Sequence, residues 1–252
     1  QAILNRSLIT ADLDNSASAP EDSAEIYKNS QISILESVDG FPALLSDPWL
    51  NAKITTLHAC SDIWACGAKL SSAQAIVSLP KVEENFQNYL LSQSLQGIKS
   101  TIEEQGGELI GGHTFESRSL ISKPYSLGME ISLTVQGVMK KRTKPWLKSG
   151  MQIGDILLIS RPLGVGIFFA GQMQNVNLYG NYDVIMKNLL TSQQYLIEQI
   201  YLFQEQFGEA MATRAISPVI YRTFPLHEAQ AAHELIQSSQ HIGKVVLTVL
   251  DN

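Results

Sequence analysis

The sequence predicts an α+β fold, an α/β sandwich in which one mixed sheet carries helices on one face and a short strand–helix–strand tail follows. Three observations point there. "QISILESVD" (31–39) alternates apolar and polar residues, the period of a half-buried strand. "KVEENFQNYLLSQSLQGIKSTIEEQGG" (81–107) has helical periodicity through Phe86, Leu90, Leu91, Leu95 and Ile98. Between residues 31 and 140 the elements run strand, helix, strand, helix, strand, strand.

Residues 1–29 are polar and read as loop. After the first strand, 46–70 reads as a helix with an Asp or Ser start signal before Pro48. "SSAQAIVSLP" (71–80) is a β-rich run stopped by Pro80, and the helix over 81–107 ends at a glycine pair. "ELIGGHT" (108–114) reads as a strand leading into a glycine turn, and "LGMEISLTVQGVMK" (127–140) as the longest strand. "GDILLIS" (154–160) is a further strand, "PLGVGIFFAGQM" (162–173) a glycine turn into a helix, and 182–206 one long helix with Ile185, Leu189, Leu196, Ile200 and Phe203 inward. The pattern changes near 208–215, and 216–250 reads as strand, helix, Gly, strand. Domains are therefore expected at 1–207 and 208–252.

The chain has 252 residues, of which 44% are hydrophobic and 17% charged, an ordinary globular balance. With a net charge of −6 and no basic stripe, nucleic-acid binding has little electrostatic support and no nucleic-acid partner is expected. No apolar run approaches the roughly 18 residues of a spanning helix, so no membrane partner is expected. Two cysteines make no disulfide framework, which points to a reducing cytoplasm. The first residue is Gln, so the chain is expected to be processed or a piece of a longer reading frame.

The chemistry centres on "LHACSDIWACGAKL" (57–70). On a helix His58, Asp62 and Cys66 share one stripe, while Cys60 lies elsewhere, so the cysteines cannot form a redox couple. A zinc site of His58, Asp62 and Cys66 is one reading; small buried thiols are the simpler one. Asp62 sits among Ala, Ile and Trp, where an unpaired charge is costly, and needs a cation, a cap or a backbone donor. Asp22 and Asp39 lie at a loop and a strand end. Three carboxylates from separate elements suit a hard divalent cation such as Mg²⁺, which bridges to substrate phosphates. The glycine turns of "GGHT" (111–114) and "PLGVG" (162–166) offer backbone N–H groups to an anion.

Taken in order, "PEDSAEIY", "ESVDGFPALLSDPW", "HACSDIWACGAK", "AIVSLP", "GGELIGGHT" and "GDILLISRPLGVGIFFAGQM" resemble the ATP-binding half of selenophosphate synthetases (selenide, water dikinases) over about 15–205. The wider group includes aminoimidazole ribotide synthetase, whose N-domain fold the resemblance implies. It also implies roles. Asp22 is the magnesium-ligand aspartate, Asp39 contacts ATP, Asp62 binds magnesium and ATP, and Gly112, His113 and Thr114 form the turn that touches the nucleotide. The implied reaction turns ATP, selenide and water into selenophosphate, phosphate and AMP, in a homodimer whose ATP-binding halves pair strands.

Three departures stand beside the resemblance. The glycine-rich segment with the family's catalytic Cys and Lys is not matched before Asp22, where Arg6 is a poor substitute, so no catalytic residue is assigned. The magnesium aspartate segment expected near 205 is absent, and His58 stands where the family usually has a small polar residue such as Asn. Third, "ISPVIYRTFPLHEAQAAHELIQSSQHIGKVVLTV" (216–249) resembles the last segment of quinone oxidoreductases of the medium-chain dehydrogenase family, without their dinucleotide fingerprint. Three functions compete: an ATP-dependent dikinase, a nucleotide-binding or dimerising module without catalysis, and an NADPH-dependent quinone oxidoreductase.

Overall fold

The computed structural model describes residues 21–117, 127–140, 143–149, 160–174, 176, 182–213, 215, 219–238 and 244–248. The chain divides into two units, one of Gln1–Leu147 with Val165–Ile197 and one of Lys148–Gly164 with Glu198–Asn252. The expected change of pattern at 208–215 falls within the second of these.

The first unit is built on a five-stranded mixed sheet. Its strands are β1 (Ala24–Lys28), β2 (Ile32–Pro42), β3 (Lys69–Leu79), β4 (Glu108–Glu116) and β5 (Glu130–Lys140), in the order β1-β2-β5-β3-β4. β5 runs antiparallel to both β2 and β3, while β4 runs parallel to β3. Alternation decides the faces: Ile131, Leu133, Val135, Gly137 and Met139 of β5 are buried, and the residues between them are half-buried. The helices α1 (Pro48–Ala65) and α2 (Glu84–Glu104) supply the crossovers β2-α1-β3 and β3-α2-β4 and pack against each other.

α1 starts where its sequence signals. Asp47 is the N-cap and accepts from the Leu50 N–H at 2.9 Å, with Pro48 in the first turn. Its end differs from the expected 46–70. The helix stops at Ala65 because Gly67 takes φ 80°, a left-handed value that closes the last turn, and Lys69 already belongs to β3. Apolar and small residues cover α1 nearly all round, since the sheet, α2 and the Leu45, Ile54, Phe168, Phe169 and Met186 cluster enclose it. Its window is a stripe of His58, Ser61, Asp62 and Ala65, spaced i, i+3, i+4, i+7.

Two further expectations are corrected. "GGHT" is no turn: Gly111–Thr114 lies inside β4, where Gly112 pairs with Ala75, His113 with Ile76 and Thr114 with Val77. The glycine serves close approach, because a Cβ on Gly112 would stand 2.0 Å from the Ala75 carbonyl oxygen. The long helix over 182–206 is two helices, α4 (Tyr182–Leu190) and α5 (Gln194–Ala212), broken at residues 191–193. The glycine turn into a helix appears as Gly164, at φ 112°, before α3 (Val165–Met173). The strand expected at 154–160 lies outside the described residues apart from Ser160.

In the second unit, β6 (Ile220–Pro225) and β7 (Lys244–Thr248) pair in parallel through α6 (Ala229–Ser238), the strand–helix–strand tail expected over 216–250. Phe224, Ala232 and Val246 are its buried residues, and the Arg222 guanidinium lies 4.7 Å from the Phe224 ring centroid.

Candidate functional site

β2 and the open stripe of α1 face each other through two polar rungs. Ser37 and Asp39 sit two apart on β2, hence on one face. His58 and Asp62 sit four apart on α1, hence one turn apart on one side. The Ser37 hydroxyl donates to Asp62 Oδ2 at 2.7 Å. His58 Nε2 meets Asp39 Oδ2 at 2.8 Å, and the Gly40 N–H donates to Asp39 Oδ1 at 2.7 Å. Phe41 closes the end, its ring centroid 4.4 Å from that of His58.

The charge balance singles out Asp62. Burial pushes its carboxyl above the usual carboxylate range, and donation from Ser37 opposes this. Repulsion from Asp39 and Asp22 raises it further, while His58 pulls it down. Asp22, Asp39 and His58 thus all act on Asp62, although they come from the residues before β1, from β2 and from α1. Beside them a cavity of about 700 Å³ opens, lined by Asp22, Ser37, Glu25, Glu36, Lys28 and Lys144 among others. Its rim mixes carboxylates with two ammonium groups, so it suits a ligand that carries anionic groups and cations together.

Among the described residues no three His, Cys, Asp or Glu side chains gather tightly enough to hold a metal ion by themselves. This removes the zinc reading of His58, Asp62 and Cys66: Cys66 is the buried cap residue after α1, 2% exposed. Both cysteines are free and buried, and burial, with Asp62 nearby, pushes the Cys60 thiol up to about 12. Carboxylate oxygens are the donors a hard cation takes, and a cation beside Asp62 would relieve the repulsion felt there. Such an ion would draw its remaining oxygens from phosphate and water.

Gly112, His113 and Thr114 stand apart from this group. Register puts Asp39, Leu133, Ala75 and Gly112 on one row of the sheet, so Gly112 lies three strand spacings from Asp39, about 14 Å. His113 shares a row with Gly40, Ser132 and Ile76, on the face turned away from the helices. β4 is an edge strand, and these three residues are exposed. Ser37 was not expected as a site residue, and His58 only as a zinc ligand. The signal for Ser37 is its place two residues before Asp39 in an alternating strand.

These features are those of an α+β domain with a mixed sheet and helices on one face. The AIR synthase related protein, N-terminal domain family matches residues 20–139, and the zinc-binding dehydrogenase family matches residues 109–247. The chain belongs to the second family, whose match spans more than half of it, and its five-stranded sheet is similar to the first; the two matches overlap over residues 109–139, which include most of β4 and β5.

Particular relatives narrow the first similarity. The chain is 28% identical over 151 residues to a selenide, water dikinase of Bdellovibrio bacteriovorus, covering 60% of this chain and 40% of the relative. It is 33% identical over 150 residues to that of Paraburkholderia xenovorans, covering 59% and 39%. The chain thus spans about two fifths of the length of these relatives. Among solved structures, tt0281 from Thermus thermophilus superposes with a TM-score of 0.58 at 16% identity, over 78% of this chain and 62% of the other. AaThiL complexed with AMPPCP and TMP gives 0.57 at 16%, over 81% and 60%, and thiamine monophosphate kinase from Aquifex aeolicus 0.56 at 17%, over 77% and 63%. At these identities the structures establish the fold, an α+β sandwich of this type. Among the described residues no helix is long and apolar enough to cross a membrane.

Proposed function

We propose that this chain is the nucleotide-binding part of a magnesium-dependent, ATP-using phosphotransferase of the selenophosphate synthetase type. The reaction is ATP, selenide and water to selenophosphate, AMP and phosphate. The observation that carries the reading is the pair of rungs, Ser37 to Asp62 and Asp39 to His58, which presents carboxylates in the open window of an otherwise buried helix. Phosphoryl transfer asks a protein for positioning and charge neutralisation rather than covalent chemistry. Asp22 and Asp62 would hold Mg²⁺, which supplies neutralisation of the polyphosphate when bound. Asp39 and Asp62 would orient ATP from β2 and α1.

The same reading makes the protein a cytoplasmic homodimer. Gly112, His113 and Thr114, as nucleotide contacts, sit too far from Asp39 on one copy, about 14 Å along a sheet row. A second copy brings its exposed β4 edge to the first copy's carboxylates. In this reading residues 1–207 form the ATP-binding domain, and 208–252 a quinone-oxidoreductase-like tail.

The test is ³¹P spectroscopy of the purified chain with ATP, Mg²⁺ and selenide under reducing conditions. Conversion of ATP to AMP with a new selenophosphate resonance supports the dikinase. ATP binding without turnover replaces it with the non-catalytic nucleotide-binding or dimerising module. Binding of NADPH in place of ATP assigns the chain to the oxidoreductases, the reading favoured by the match over residues 109–247.

A further inference from the structure

We propose that His58, held by Asp39, is a direct phosphate contact of the nucleotide site, the donor that this chain sets among its carboxylates. The proposal rests on the nucleotide reading above and adds a residue and a ligand group to it.

The geometry argues for it in three steps. Asp39 Oδ1 accepts from the Gly40 N–H and Oδ2 meets His58 Nε2, so the carboxylate that faces the nucleotide also holds the imidazole in place. With Nε2 committed, Nδ1 is the nitrogen left for a ligand, and in the doubly protonated ring both nitrogens donate. The ring is fixed on its other side by Phe41 at 4.4 Å, yet the side chain keeps 46% of its surface open. It is packed as a positioned group and exposed as a contact group.

Its surroundings on α1 favour a donor. Asp62 lies one helical turn on, and Asp22 and Asp39 add negative charge at Asp62. A polyphosphate approaching this window meets carboxylates that repel it. A magnesium ion held by Asp22 and Asp62 would offset part of that repulsion. His58 is the side chain of the α1 stripe that offers ring nitrogens to a phosphate, since Ser61, Asp62 and Ala65 complete the stripe. Lys53, the basic residue within α1, is turned away, bonded to Glu104 at 2.9 Å.

The test is calorimetric titration of the full chain, with Mg²⁺ present, by ATP and separately by adenosine, for wild type, His58→Ala and His58→Gln. A phosphate contact predicts that His58→Ala loses about tenfold in ATP affinity, the worth of one charge-assisted hydrogen bond. Adenosine affinity should move less than twofold, and His58→Gln, which keeps a donor, should recover part of the ATP loss. Equal losses for ATP and adenosine would make His58 merely structural and overturn the proposal, as would an unchanged ATP affinity. A wild-type chain that binds neither ligand would overturn the nucleotide reading itself, a distinct result.

Discussion

The Ser37 hydroxyl donates to the Asp62 carboxylate at 2.7 Å, joining the middle of β2 to the open stripe of α1. This bond is the chief local support of a carboxylate that burial and two like-charged neighbours disfavour. It fixes where Asp62 points without neutralising it, which leaves the charge available to a cation.

Asp62 should therefore weaken the fold at neutral pH. Its folded pKa lies above the unfolded one, so the folded chain holds the proton more tightly. Stability falls as pH rises from the ordinary carboxylate range through the raised value. Asp62→Asn keeps an acceptor for Ser37 and removes the charge. Thermal melts across the acid-to-neutral range should show the variant melting a few degrees higher at neutral pH, with the gap closing in acid. A constant gap would place its origin in packing.

Ser37→Ala acts in the opposite sense. It strips the donor from a half-buried carboxylate, at a cost of about 1 kcal/mol. Urea titration should show the loss at neutral pH and a smaller one where Asp62 is protonated.

Asp47→Ala removes the α1 cap without touching the site. The expected cost is about 1 kcal/mol, read as a fall of roughly 2–4 °C in Tm. Because the rungs depend on the second half of α1, affinity for ATP should be unchanged.

Gly112→Ala tests the β4 edge. The added Cβ meets the Ala75 carbonyl oxygen at 2.0 Å, so the strand must shift. A loss of about 1–3 kcal/mol is expected, with faster hydrogen exchange confined to β3 and β4.

Cys60 gives a check on burial. With its thiol pushed up to about 12 by burial, it should resist alkylation at mildly alkaline pH until denaturant is added. Reaction at the rate of a free thiol in the native chain would contradict the packing of α1.

Much of the fold was legible because local signals and tertiary structure agree. The Asp47 cap before Pro48 and the alternation of "QISILESVD" each gave an element its place. Signals failed where packing outvoted them. "GGHT" looks like a turn, but β3 lies so close that the glycine serves a strand contact. The apolar period over 182–206 continues through a break that the periodicity of the flanking residues conceals. In the site, Asp62 was visible as a charge among apolar residues. Its partner Ser37, 25 residues earlier, was not, since only the crossover from β2 to α1 brings them together. The separation of Gly112 from Asp39 depends on strand order, which no local pattern encodes.

The most direct test of the central claim, that Asp62 presents its carboxylate to metal and nucleotide, is calorimetric titration with ATP, with and without Mg²⁺, of the wild-type chain and Asp62→Asn. The account predicts binding to wild type that requires Mg²⁺, and its loss in a variant that stays folded and melts no lower. Unchanged magnesium-dependent binding in Asp62→Asn, or none in the wild type, would contradict it.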